Sequence, residues 1–321
     1  MSDRPMKRIL VTGSAGQIGS ELVMVLREKY GNDNVVAGIN RTQPSERIKN
    51  SGPVEVCDIR KREQLDDVVD RYDIDTIYNM AAILSAVGEQ KPLLAWDVNM
   101  NRFQNVLECA REKELVRVMN PSSIAAFGPE TPRINTPQET VLKPRTMYGV
   151  TKVAGELLGD YYFRKFGVDV RGVRYPGIIS SETPPGGGTT DYAVAIFYEA
   201  IKHGRYECFV REDTVLPMMY MPDALKGLMD LAEAPVEKLE HHCDFNLASM
   251  SFSAGELAAE IKKHIPELEV TYKPDFRQAI ADSWPQSIDD SAARREWGWE
   301  PSFDLSSMTK DMIEKLSAKL L

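Results

Sequence analysis

The sequence predicts an α/β fold: a doubly wound parallel sheet followed by a smaller C-terminal α/β lobe. Three observations carry that prediction. Short apolar, β-branched runs alternate with amphipathic helical stretches through the first 175 residues. A glycine-rich turn joins the first such run to the first helical stretch. Beyond Tyr175-Pro176-Gly177 the alternation gives way to less regular, proline-punctuated sequence. Strands separated by helices run parallel, because each helix returns the chain to the same edge.

The elements follow in order. Arg8–Thr12 reads as a buried strand, and Gln17–Tyr30 as a helix with Ile18, Leu22, Val25 and Leu26 along one face. Val35–Ile39 and Val54–Cys57 are the second and third strands, Glu63–Tyr72 is helical, and Thr76–Asn79 is the fourth strand. Leu93–Lys113 reads as one long helix before the strand Val116–Met119. Met147–Phe166 is helical and Asp169–Arg174 is a strand. The remainder holds Pro184-Pro185-Gly186-Gly187-Gly188, a helix near Tyr192–Lys202, and Pro217, Pro222, Pro266, Pro274 and Pro285. The expected division is residues 1–178 as the sheet domain and 179–321 as mainly the second lobe, with segments returning to the sheet.

Composition narrows the function. With 321 residues, 43% of them hydrophobic, the chain can bury a large core. A net charge of −9, from 39 basic and 48 acidic residues, gives no general attraction for nucleic acid or anionic membranes. No apolar run approaches the ~20 residues that span a bilayer. Met1–Leu10 has no apolar core of a secretory signal. The four cysteines, Cys57, Cys109, Cys208 and Cys243, form no CxxC pair. Reduced thiols and a cytoplasmic location are expected. Four histidines make a multi-histidine metal site improbable, and no metal is expected. His241-His242-Cys243 has ligand types, but strand neighbours face opposite ways. Trp297-Gly298-Trp299 reads as packing.

Gly13-Ser14-Ala15-Gly16-Gln17-Ile18-Gly19 sits where a Rossmann-type fold binds a dinucleotide. Glycines allow a tight turn and close approach of a pyrophosphate, and the helix start offers free N–H groups. An ordinary tight turn is the alternative. The second strand should end at the adenosine ribose, where an acidic residue favours NAD and a basic one NADP. Here Ile39-Asn40-Arg41 follows, with no carboxylate. Asn40 can bond the ribose, and Arg41 can stack on adenine or hold a phosphate. NAD is the expected cofactor, with NADP possible because Ile39 stands at the reading position. Asp58-Ile59 can meet the adenine amino group and ring; Asp58 can also cap the next helix, and both roles can coexist. Asn79-Met80-Ala81-Ala82 ends the fourth strand, and the small residues there would let the cofactor ribose lie against backbone.

Tyr148 and Lys152 lie one helical turn apart on one face. A neighbouring ammonium, together with a positive nicotinamide ring, favours a phenolate and lowers the tyrosine pKa. Tyr161/Lys165 and Tyr198/Lys202 share the spacing and read as surface pairs. Tyr148 is singled out because it opens its helix after Pro144 and follows Ser123, just past a strand end facing the crevice. Ser123 can hydrogen-bond a substrate oxygen; Ser122 is the rival, and both can be turn residues.

Together, Gly13/Gly16/Gly19, Asp58-Ile59, Ser123 and Tyr148/Lys152 resemble the extended short-chain dehydrogenase/reductase superfamily, with its epimerases and nucleotide-sugar dehydratases. Met80–Ala86, Pro121–Ala125, Arg174–Ile178, Pro184–Ala193 and Asp282–Pro285 resemble its short-chain-type L-threonine 3-dehydrogenases, over Lys7 to Ile313. Those enzymes usually carry Asp where this chain has Ile39. The resemblance implies oxidation of the L-threonine 3-hydroxyl to 2-amino-3-ketobutyrate with hydride passing to NAD. It casts Tyr148 as base, Ser123 as alkoxide donor and Lys152 as tuner and ribose holder. It puts Ile178 beside the nicotinamide, and Ser85, Thr189, Thr190, Asp191 and Trp284 around the amino acid. Thr189–Asp191 can equally cap the next helix, and Trp284 can be core. Gly186–Gly188 would be a lid. The resemblance further implies a homodimer through a four-helix bundle of Leu93–Lys113 and Met147–Phe166. The competing readings are a nucleotide-sugar epimerase or dehydratase, for which Arg205, Arg211 and Arg277 would have to clamp a diphosphate, a dehydrogenase for another β-hydroxy amino acid, and a cofactor-sensing binding module.

Overall fold

Ile9, Leu10 and Val11 are completely buried, as expected of a strand covered on both faces. In the computed structural model, which describes residues 4–186 and 188–321, they form β1 (Ile9–Thr12). The chain continues through α1 (Gln17–Tyr30), β2 (Val35–Ile39), α2 (Glu46–Ser51), β3 (Val54–Val56), α3 (Arg62–Arg71) and β4 (Thr76–Asn79). Next come α4 (Ser85–Gln90), α5 (Pro92–Trp96), α6 (Arg102–Glu112), β5 (Arg117–Met119), β6 (Ser122–Ser123) and α7 (Met147–Phe166). Strands β1 to β5, with β7 (Val170–Arg171), build a six-stranded sheet in the order β3-β2-β1-β4-β5-β7, all parallel. The order reverses direction between β1 and β4, so a crevice opens at their C-terminal ends.

Three expectations change in detail. The helix expected over Leu93–Lys113 is α5 and α6 joined by a π-helical turn, Asp97–Asn101. The strand expected over Asp169–Arg174 divides at Gly172 into β7, paired with β5, and β8 (Val173–Tyr175), paired with β6. The short helices α2 and α4 lie in stretches the periodicity left unassigned.

The rest comprises β9 (Gly177–Ile179), α8 (Tyr192–His203), β10 (Arg205–Cys208), β11 (Val215–Tyr220), α9 (Met221–Glu233) and β12 (Phe245–Asn246). It ends with β13 (Met250–Ser253), α10 (Ala254–Lys262), β14 (Glu269–Tyr272), α11 (Arg277–Asp282), α12 (Ser291–Trp297) and α13 (Leu305–Leu320). This half serves both bodies. β12 pairs with β8, and Leu228, Leu231, Phe245 and Trp299 share a core with Ile9, Leu22 and Leu26. Leu10, Leu65, Val68, Phe103 and Val118 fill the other face. A third core joins α8, β11, α10 and α13 to Ile124, Phe127 and Tyr148, linking the second lobe to the crevice. No helix among the described residues is long and apolar enough to cross a membrane.

Candidate active site

The glycine turn is shaped by what it cannot accommodate. Gly13 has φ +66°, and a Cβ there would lie 2.7 Å from the Ala81 nitrogen. Only glycine suits a left-handed backbone pressed against a second strand end. A Cβ at Gly19 would lie 2.4 Å from the Gly13 carbonyl oxygen, so α1 seats on the turn only without a side chain there. Gly16 caps α1 with no side-chain bond, and the first turn carries no acidic residue. The amides of Gln17, Ile18 and Gly19 meet no acceptor among the described residues. A cradle of this shape, with unmet donors at a helix start, fits a pyrophosphate.

At the other end, α7 begins on the Thr146 hydroxyl, which accepts from the Gly149 amide at 3.0 Å. A Cβ at Gly149 would lie 2.1 Å from the Ala125 carbonyl oxygen. The absence of that carbon lets the first turn of α7 sit on the turn just after Ser123. Ser123 and Tyr148 consequently become neighbours in the cleft. Lys152 Nζ lies 5.4 Å from the Tyr148 ring centroid and donates to the Pro121 carbonyl at 2.6 Å. Ser122 is not equivalent: its hydroxyl donates to buried Glu156, which Arg174 grips at 3.0 and 2.8 Å.

In the chain alone, burial sets the protonation balance. Burial pushes the Tyr148 phenol up to about 12, with the Ser123 hydrogen bond pulling the other way. Burial pushes the Lys152 ammonium down to about 8, opposed by the Glu156 carboxylate. The lowering expected from Lys152 together with a positive nicotinamide ring concerns the loaded cleft. In the folded chain burial dominates both groups and draws each toward its neutral form.

Between these ends lies a cleft of about 1140 Å³, counted to its open mouth. Gln17, Ile18, Met80, Ala81, Ala82 and Ile178 line it, as do Ser123, Tyr148 and Lys152. All the residues expected around a small substrate, Ser85, Thr189, Thr190, Asp191 and Trp284, line it too. Ser85 and Thr189 bring their hydroxyls within 3.3 Å of each other. The Asp191 carboxylate accepts from the Gly186 and Gly188 amides at 2.7 and 2.8 Å. It therefore fastens the glycine segment, and it makes no side-chain cap to α8. Trp284 is both buried core and cleft wall. Gly187, at the centre of the expected lid, lies outside the described residues.

The adenosine-end residues lie outside that cleft. Asn40 and Arg41 are exposed beyond β2. Asp58 is gripped by the Arg60 guanidinium at 3.0 and 2.8 Å, which holds its carboxyl below the usual range. Ile59 is buried in the core beside Leu65.

Asparagines were overlooked in the sequence. Asn99 sits in the π-helical turn and grips both polar groups of the Ile83 backbone, at 2.8 and 3.1 Å, and the Thr151 hydroxyl at 3.0 Å. Asn79 accepts from Thr12 and donates to Asn120, both at 2.9 Å, tying β1, β4 and β5 at the crevice floor. An asparagine at a buried strand end was the available signal. Elsewhere, no group of three metal-ligand side chains occurs among the described residues. His241 contacts Glu296 and Glu139, while His242 stacks on Phe163.

Residues 9–248 match the model of the NAD dependent epimerase/dehydratase family. An uncharacterised epimerase/dehydratase of Staphylococcus haemolyticus is 51% identical over 315 residues, 98% of this chain and 99% of the relative. Among solved structures, the L-threonine dehydrogenase of Clostridium difficile is 54% identical with TM-score 0.96, covering 98% of this chain and 99% of that one. The GalE-like L-threonine dehydrogenase of Cupriavidus necator in holo form is 49% identical with TM-score 0.94, covering 96% and 99%.

Proposed function

Since this chain belongs to the NAD-dependent epimerase/dehydratase family, we propose that it is a dehydrogenase that oxidises the 3-hydroxyl of L-threonine to 2-amino-3-ketobutyrate. The observation that carries this reading is the cleft wall beyond Tyr148. It is small and hydroxyl-rich, built from Ser85, Thr189 and Thr190 against Trp284, and Lys152 is its one cationic side chain among the described residues. A nucleotide sugar would need convergent cations for its diphosphate. Arg205, Arg211 and Arg277 are absent from the wall; Arg211 pairs with Asp282 at 2.8 Å and Arg277 with Asp275 at 2.6 Å. Resemblance to threonine dehydrogenases over nearly the whole chain supports the same choice.

The glycine turn, Met80–Ala82, Lys152 and Ile178 would hold a nicotinamide dinucleotide. When bound, that cofactor accepts the hydride from the carbon bearing the hydroxyl. Tyr148 takes the hydroxyl proton, and Ser123 donates a hydrogen bond to the oxygen as its charge grows. Lys152, held by Pro121, keeps a cation beside the phenol and so favours its ionised form. Ser85, Thr189 and Thr190 offer hydroxyls to the amino-acid end, and Trp284 closes the apolar side. The exposed apolar residues Leu93 and Trp96 on α5 and Leu157 and Tyr161 on α7 support pairing of two chains through these helices, which sedimentation would test. The reaction is tested by supplying L-threonine, L-serine and UDP-glucose in turn with each oxidised dinucleotide. Nicotinamide reduction with threonine alone, giving an aminoketone product, is expected. Turnover of UDP-glucose and none of threonine would refute the reading.

A further inference from the structure

The catalytic end says nothing about which dinucleotide is used; the adenosine end does. Resting on the reading that this chain binds a nicotinamide dinucleotide, we propose that the loops after β2 and β3 form a 2′-phosphate site walled by Arg41, Arg60 and Arg102, and that NADP(H) is the preferred cofactor. A phosphate monoester on the adenosine ribose is the ligand chemistry concerned.

The backbone brings these residues together. Ile39 pairs with Val56 across β2 and β3, so the chain leaves both strands side by side. Asn40-Arg41 follows one strand and Asp58-Ile59-Arg60 the other. On α6, the Asn105 side chain donates to the Ile59 and Arg60 carbonyls at 2.9 and 3.3 Å. Arg102 lies one turn earlier on the same face and thus beside the same loop. It interacts electrostatically with Arg41 and Arg60.

The charges there do not balance. The residue ending β2 is buried Ile39, so no carboxylate stands ready to accept a ribose hydroxyl and repel a phosphate. Arg102 is 9% exposed, and among the described residues it forms no ion pair and its Nε has no hydrogen-bond partner. Arg41 is exposed and likewise unpaired among the described residues. The carboxylates that face Arg102 are Asp58 and Asp97. Asp58 is occupied by the Arg60 fork, and Asp97 accepts the Asn101 amide at 3.0 Å. Buried guanidinium groups normally have a full set of partners. A phosphate dianion supplies one here, with the fork geometry arginine prefers.

Equilibrium titration of the full chain with NADPH and with NADH, without amino acid, tests this through binding rather than turnover. NADPH is expected to bind at least ~10-fold tighter, with 2′-AMP displacing it and added salt weakening it more than NADH. Arg41→Gln, at an exposed position, should cost NADPH about 10-fold and NADH no more than about twofold. Ile39→Asp should move the preference toward NADH. Equal affinities, tighter NADH, or an Arg41→Gln loss shared by both dinucleotides would overturn the site. Threonine turnover is independent of this result, so failure of the substrate reading would show separately; a chain that bound neither dinucleotide would overturn both.

Discussion

The two ends of the crevice are built on opposite principles. At the glycine turn, unmet backbone amides at the start of α1 present positive potential, and no side chain there must give up a proton. At the catalytic end, half-buried Ser123 and Lys152 flank buried Tyr148, and the surroundings oppose the charged forms of the phenol and the ammonium. The first end depends on shape and long-range charge, so substitutions there should grade affinity. The second depends on a few short contacts, so substitutions there should switch the chemistry off.

The largest effect separating the ends should come from Tyr148→Phe. Loss of a general base costs ~10²–10⁴-fold in rate. Steady-state turnover should fall by that order while dinucleotide affinity stays within about threefold; retained turnover would mean that another group takes the proton. Next is Lys152→Met. Lys152 sits at about 8 in the fold against an ordinary 10.5, so the stability linked to it is present above pH 10.5 and lost as pH falls through about 8. At pH 7 the buried ammonium costs on the order of 3 kcal/mol. The variant should therefore melt higher than the wild type at pH 7 while being inactive, with the gain vanishing above pH 10.5. A lower melting temperature at neutral pH would contradict the placement of that charge.

A smaller effect is expected at the other end. Gly13→Ala forces a positive φ and a backbone clash, costing about 1–3 kcal/mol in stability and weakening dinucleotide binding, readable by thermal melts and titration. Smallest is Thr189→Val, which removes one hydroxyl from the cleft wall proposed to meet the amino acid. KM for threonine should rise about 3–10-fold with kcat little changed, the loss of one hydrogen bond.

The contrast also explains what could be read from the sequence. The glycine turn, the flanking strand and helix, and the Tyr148/Lys152 pair are local patterns, and each has a backbone reason that survives without its neighbours. The sheet followed from alternating periods. What escaped reading depends on contacts between distant stretches. The π-helical turn places Asn99 against Ile83, and no spacing announces that partner. Glu156 looks like a helix-surface residue until Ser122 and Arg174 bury it. Asp191 carries the charge an ammonium would seek, yet the Gly186 and Gly188 amides use it. The burial of Tyr148 escapes reading for the same reason: charge neighbours are visible in a helix repeat, whereas burial is not.

The central claim is that Ser123, Tyr148 and Lys152 act on the 3-hydroxyl of L-threonine. The most direct test is the fate of deuterium placed on C3 of L-threonine, followed by mass spectrometry of the reduced nicotinamide. Transfer of the C3 label to the nicotinamide by the wild type, and none by Tyr148→Phe, is the expected result. Reduction without label transfer, or no reduction with either dinucleotide, would contradict it.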